Sequence, residues 1–340
     1  MYWTFLPKTS SVNLDWNREK WYWSIQKLKK YIVMFQCFVL ICIAAVPFAV
    51  SRGIKFPFDN ITKEKKTGEV KYTPSVSYTV GGEKMDEYIK GVVAAEMPAS
   101  FPIEALKAQS VASRTYAVRA VENADKELNP SDIGQAFITV DKMKENWGEN
   151  FETYYAKICD AVDSTQGEIM KYDGEPILAV FHSTSAGETE KAGNIWNYDL
   201  PYLESTDSLG DTYAPNYQTT KTMSEEEIIS SIKAKYPDFQ ANAGELFESI
   251  VIKERSEAGY ITKISVGNME FTGKQLREAL GLRSTNFTVT KTEDGIGFTT
   301  KGFGHGAGMS QYGAKYMAEN GSDYKNILNH YYKNIVIDRL

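Results

Sequence analysis

Residues 31–50 form one uninterrupted, uncharged run, and nothing else in the chain constrains its folding so strongly. As a helix such a run can cross the hydrocarbon core of a bilayer, for which roughly 20 apolar residues suffice. Just before it, Arg18, Lys20, Lys27, Lys29 and Lys30 outnumber Asp15 and Glu19. Cations on the near side hold that side in the cytoplasm, so residues 1–30 are expected inside and the remainder outside. A cleavable signal peptide is the competing reading, since Ala49 and Ser51 are small residues near a possible cut. The polar leader exceeds an ordinary n-region and the apolar run exceeds an ordinary h-region, which favours an uncleaved single-pass anchor. Residues 51–74, with Lys63, Glu64, Lys65 and Lys66 in the middle, read as a juxtamembrane stalk. The part that must build a core is therefore 75–340.

Within that part, helical patterns are expected over 85–96, 103–120, 151–165, 224–236 and 273–280. Ser224 and Glu227 have the spacing of a capping box. Strand patterns are expected over 76–80, 136–140, 167–172, 177–182, 249–254, 261–266, 286–291 and 296–301, several joined at Gly-containing turns. Helices and hairpins mix without a regular βαβ alternation, so the fold class is α+β, a mixed helix and antiparallel-sheet ectodomain. Residues 207–246 could be an accessory lobe or an insertion. The formal net charge of −6, with no basic stripe outside the anchor region, argues against a nucleic-acid binder. Cys37 and Cys42 lie in the apolar run and Cys159 stands alone beyond it, so no intrachain disulfide framework is expected and Cys159 reads as a buried thiol. His182, His305 and His330 show no metal-ligand spacing, and no cofactor is called for.

Two segments carry chemistry. The first is Val92-Val93-Ala94-Ala95-Glu96-Met97-Pro98. Glu96 shares a helix face with Val92 and Val93, and Pro98 stops the helix. A carboxylate desolvated at a helix C-terminus is held protonated, which suits a general acid. The plain alternative is a solvated Glu rotated off the apolar face. On the following helix Lys107, Ser110 and Arg114 form one polar stripe among Ala105, Ala108, Val111, Ala112 and Ala117. That stripe is either a substrate clamp or a solvated face. The second segment, 302–314, alternates Gly302, Gly304, Gly306 and Gly308 around His305. It superficially resembles a dinucleotide-binding turn, but too little chain follows for a βαβ unit. A ligand-facing backbone wall, with His305, Ser310 and Gln311 as polar contacts, is the better reading beside simple tight packing.

Four stretches together resemble the stage II sporulation protein D family, the membrane-anchored lytic transglycosylases of endospore formers. They are Val92 through Pro98, Pro102 through Ala117, His182-Ser183-Thr184-Ser185-Ala186-Gly187, and Gly302 through Ala314. The resemblance implies cleavage of peptidoglycan glycan strands, preferably ones stripped of stem peptides, during engulfment of the forespore. It implies Glu96 as the catalytic acid, Lys107 and Arg114 as glycan-contacting residues beside it, and Thr184 and Ser185 on the facing loop. It implies two partners, the amidase stage II sporulation protein P and the membrane scaffold stage II sporulation protein M. Some clostridial members carry a zinc-holding Cys/His loop, whereas residues 127–137 here contain neither residue type, so no metal is expected.

A lytic transglycosylase can work with one carboxylate, because the muramic acid C6 hydroxyl attacks the oxocarbenium-like centre. Glu104, Glu188 and Glu190 become candidates only for a hydrolase, which needs a second carboxylate. The rival from another class is a glycan-binding scaffold that localises an amidase.

Overall fold

The computed structural model describes residues 78–196 and 198–340; the expected anchor and stalk lie outside them. Among the described residues no helix is long and apolar enough to cross a membrane.

The Ile103–Glu122 helix is the axis of the first core. Its Ala105, Ala108, Ala112 and Ala117 are fully buried, as are Leu106, Val111 and Val118. A helix that is apolar or small on nearly every side has to be surrounded. Around it stand Met85–Glu96, Phe151–Ser164, Gln311–Glu319 and Tyr324–Tyr331, together with the strand Glu168–Tyr172. That strand is the middle of an antiparallel sheet, between Val336–Arg339 and Glu175–Pro176. The first helix ends at Glu96 because Met97, which precedes Pro98, is extended at φ −126° and ψ 136°.

A second core belongs to residues 218–301. The strand Gly295–Lys301 pairs antiparallel with Phe287–Thr292 and Gln218–Met223, and Ile261–Val266 pairs with Val251–Arg255 and Met269–Phe271. The helices Glu225–Lys235 and Gly273–Leu280 close this lobe over Ile228, Ile232, Phe239, Leu276, Phe287 and Phe298. Both helices start at capping boxes, Ser224 with Glu227 and Thr272 with Gln275. Residues 207–246 accordingly divide. The turn Leu209–Tyr213 packs on the first lobe against Gln311–Glu319, and the Glu225–Lys235 helix belongs to the second.

Mixed helix and antiparallel sheet is the architecture found. Several expected strands are corrected. Residues 136–139 join no sheet and lead into the helix Val140–Trp147, whose N-terminus Thr139 caps through Lys142 N (3.3 Å). Alternating apolar residues there serve a loop, since Ile138 N donates to Gly91 O and Phe137 stacks on Tyr88. Of residues 177–182 only Phe181–His182 is strand, and it pairs parallel with Met309–Ser310. The strand expected from 249 begins at Val251, after a helical turn Leu246–Ser249. Cys159 is a free thiol of intermediate exposure, not a buried one.

Candidate functional site

Glu96 sits on the rim of a pocket of about 330 Å³ that it shares with Tyr116, Gln135, Phe181, Trp196 and His305. Its neighbours Val92 and Val93 are fully buried, and Glu96 itself is half-buried, so the acid lies at the boundary between core and groove. Ala136 N donates to Glu96 Oε1 at 2.8 Å. Burial raises the carboxyl's pKa, and the Ala136 donor opposes that rise without cancelling it. Tyr88, next to it, hydrogen-bonds Gln135 Oε1 at 3.4 Å, and burial followed by the charge of Glu96 pushes its phenol up.

His305 comes from the glycine run. Gly302, Gly304, Gly306 and Gly308 all have positive φ (77°, 124°, 92° and 67°). Each also lies against the protein's own chain. A Cβ would stand 2.6 Å from Thr184 O at Gly302, 2.6 Å from His182 Cβ at Gly304 and 2.0 Å from Val180 O at Gly308. The run is therefore a tight seam against residues 180–185, which corrects the expectation of a backbone wall facing the ligand. His305 is the residue of the seam that reaches the groove, 5.4 Å from the Trp196 ring and 5.5 Å from that of His182. Burial first, then Arg277 and Lys274, pull its pKa down to about 4, so the imidazole is neutral at pH 7. Ala307 N donates to its Nδ1 (3.1 Å), which leaves the ring proton on Nε2.

Thr184 and Ser185 hold the seam together. Thr184 exchanges backbone hydrogen bonds with Phe303, and Ser185 N donates to Asp211 Oδ2 at 2.8 Å. Ser310 Oγ donates to the other oxygen, Asp211 Oδ1, at 2.6 Å. Thr184 and Ser185 are buried, which corrects their expected place on a glycan-facing loop. Asp211 is the carboxylate that sequence reasoning missed. Only the fold brings it between the two loops.

The stripe on the central helix is corrected too. Arg114 is fully buried. Its Nε donates to Asp86 Oδ1 (2.8 Å), Nη1 to Glu168 O and Nη2 to Val162 O (both 3.2 Å). Ser110 is buried with its hydroxyl on Leu106 O (2.8 Å), and Lys107 is ion-paired with Glu104 (2.9 Å). None of the three lines the Glu96 pocket. The residue of this helix that lines the pocket is Tyr116, with the buried Gln109 and Ser113 behind it. Gln135 Nε2 reaches Ser113 O, and the buried Gln311 reaches Gln109 Oε1, each at 3.4 Å. Gln311 is thus buried and does not line the pocket.

Trp196 and His305 also line a larger cleft of about 590 Å³ between the two lobes, where Glu190 faces Tyr260, Lys274 and Arg277. Tyr260 fixes the lobes there by accepting from Ala186 N (2.9 Å) and donating to Glu188 O (3.0 Å). Pocket and cleft share two side chains and form one groove, with Glu96 at one end and cations from the second lobe at the other. Trp196, Lys274 and Arg277 carried no local signal in the sequence, because only the packing of distant segments aligns them.

A family model described as "Stage II sporulation protein" matches residues 78–172, which include Glu96, Tyr116 and Gln135. Stage II sporulation protein D of Bacillus subtilis (strain 168) is 39% identical over 256 residues, covering 73% of this chain and 73% of the relative. Stage II sporulation protein D of Bacillus amyloliquefaciens is 37% identical over 268 residues, covering 77% and 76%. An amidase enhancer of Bacillus subtilis (strain 168) is 28% identical over 291 residues, covering 72% of this chain and 39% of the relative. With its first helices matched by the family model and most of its length matched by these relatives, the chain belongs to the stage II sporulation protein D family of sporulation proteins.

Proposed function

We propose that this protein is a lytic transglycosylase that cleaves peptide-free glycan strands of peptidoglycan during forespore engulfment, with Glu96 as its single general acid and base. The observation that carries the reading is the Glu96 carboxyl, pushed toward its neutral form at the end of an aromatic-lined groove. Glu96 protonates the leaving glycosidic oxygen, and the sugar C1 takes on oxocarbenium character. The C6 hydroxyl of the same muramic acid then attacks C1 and returns its proton to Glu96, closing a 1,6-anhydro ring with no water consumed. Trp196 offers an apolar face to a pyranose ring. His305, neutral at pH 7, adds an uncharged polar edge to the pocket.

A hydrolytic mechanism needs a second carboxylate beside the first. Among the described residues Glu96 is the acid that lines its pocket. Glu104 pairs with Lys107, and Glu188 accepts from Ser205 Oγ (2.7 Å). Glu190 lies in the neighbouring cleft. Acid–base catalysis of this kind contributes on the order of 100- to 10,000-fold, so Glu96→Gln is expected to lower the cleavage rate by about that factor. Product masses from peptide-free peptidoglycan test it, anhydro-muramyl ends being the expected result. Reducing ends in their place would mean hydrolysis.

The proposal includes an anchor at 31–50, the ectodomain outside the membrane, and working partners in the amidase stage II sporulation protein P and the scaffold stage II sporulation protein M. The amidase enhancer among the relatives favours one alternative, a scaffold that binds glycan for an amidase. That alternative requires Glu96→Gln to leave sporulation intact while Trp196→Ala impairs it.

A further inference from the structure

The interlobe cleft contains polar groups whose partners are missing from the protein itself. Glu190 is 2% exposed. Its Oε1 accepts from Lys191 N (2.9 Å) and Asn194 Nδ2 (2.8 Å), whereas its Oε2 is buried without any partner. A buried acceptor left unpaired is costly, and a donor on a bound molecule would relieve that cost. Across the cleft, Arg277 Nε donates to Arg283 O at 3.1 Å, which fixes the plane of the guanidinium. Among the described residues its two terminal nitrogens have no hydrogen-bond or ion-pair partner, and neither has the ammonium of Lys274, one helical turn earlier. A fork of free N–H groups held in one plane matches a carboxylate in two-point contact. The cleft therefore presents two cations and one anionic acceptor, and it opens into the Glu96 pocket at Trp196 and His305.

We propose that this cleft is the subsite for an N-acetylmuramic acid whose lactyl carboxylate is free, with Arg277 and Lys274 receiving the carboxylate and Glu190 Oε2 accepting the acetamido N–H. The assignment rests on the transglycosylase reading for its substrate and adds the residues that choose among strands. A stem peptide converts the lactyl carboxylate into an amide. That change removes the charge Arg277 is placed to meet. Selection against peptide-bearing strands then follows from loss of an ion pair. N-Acetylglucosamine, which has the acetamido group and no carboxylate, would satisfy Glu190 alone.

The test is calorimetric binding by the full-length chain carrying Glu96→Gln, which prevents turnover. The probes are a peptide-free tetrasaccharide of alternating N-acetylglucosamine and N-acetylmuramic acid and the same tetrasaccharide with its lactyl carboxyls as methyl amides. The free acid is expected to bind at least tenfold more tightly. Arg277→Ala should erase that preference by weakening the free acid far more than the methyl amide. Lys274→Glu, at an exposed position that folding does not depend on, should cut the preference severalfold even if Arg277→Ala folds poorly. Equal affinity for the two probes, or a preference that survives both substitutions, overturns the subsite. Product masses from the chain with Glu96 intact separate the two ideas. Anhydro products without any preference sink the subsite alone, whereas a preference without anhydro products sinks the transglycosylase reading alone.

Discussion

At the scale of single residues, the environment of a side chain decides its role more than its type does. Glu96 and Asp211 are both carboxyls whose pKa burial raises. Asp211 is enclosed and accepts from Ser185 and Ser310, so it serves as a tie between loops. Glu96 has one backbone donor and faces a groove, so it can exchange a proton. On the proposed mechanism the first step needs the protonated acid, so cleavage should fall as pH rises through the elevated Glu96 pKa. Glu96→Asp, with its shorter reach, should retain only a small residual rate. Steady-state rates across pH on peptide-free glycan check both. Arg114 illustrates the reverse case. Arg114→Ala removes a buried cation's bonds to Asp86 and to two carbonyls, and should cost about 3 kcal/mol or more, read from denaturant unfolding. A surface clamp in its place would leave stability nearly unchanged and raise KM.

At the scale of elements, the seam between residues 180–185 and 302–310 joins the lobes and aims His305. Gly308→Ala puts a Cβ 2.0 Å from Val180 O at a φ of 67°. Both faults act together, so a loss of about 2 kcal/mol or more is expected, with activity falling alongside thermal stability as His305 is displaced. Gly82→Ala is the matched control, because positive φ is its only fault and open space surrounds it.

Elements of this kind differ in how far the sequence exposes them. Helices with steady periodicity were legible, among them Met85–Glu96 and the two with capping boxes, Glu225–Lys235 and Gly273–Leu280, because their hydrogen bonds are local. The alternating pattern at 136–140 misled, since a strand requires a partner and none lies beside it there. The stripe Lys107, Ser110 and Arg114 misled for a related reason. Polar residues at helical spacing ordinarily face outward, but here Asp86, Glu168 and Val162 supply the partners that let Arg114 face inward. Glu96 itself was legible because the helix stop at Pro98 and the apolar run before it are contiguous. Trp196, Lys274 and Arg277, which complete the groove, lie 100 or more residues away from it in sequence.

At the scale of the whole molecule, two lobes close on one groove, and two histidines, His182 buried and His305 half-buried, lie together beside it. Burial first, then His305, lowers the His182 pKa from 6.5 to about 3, and that of His305 falls to about 4. In the unfolded chain both bind protons near pH 6.5, so between there and about pH 3 the unfolded state holds more protons than the native one. Stability contributed by the neutral pair is complete above that window and lost as pH falls through it. Acid unfolding should therefore steepen below about pH 6, and His182→Gln should flatten that slope while lowering stability at pH 7. Chemical unfolding at a series of pH values reads both.

The most direct test of the central claim is the mass of the sugar fragments that the full-length protein releases from peptide-free peptidoglycan, compared with the fragments released by Glu96→Gln. The account predicts anhydro-muramyl ends, each lighter by one water than a reducing end, and their near-complete loss in the variant. Reducing-end fragments, or anhydro fragments released equally well by Glu96→Gln, would contradict it.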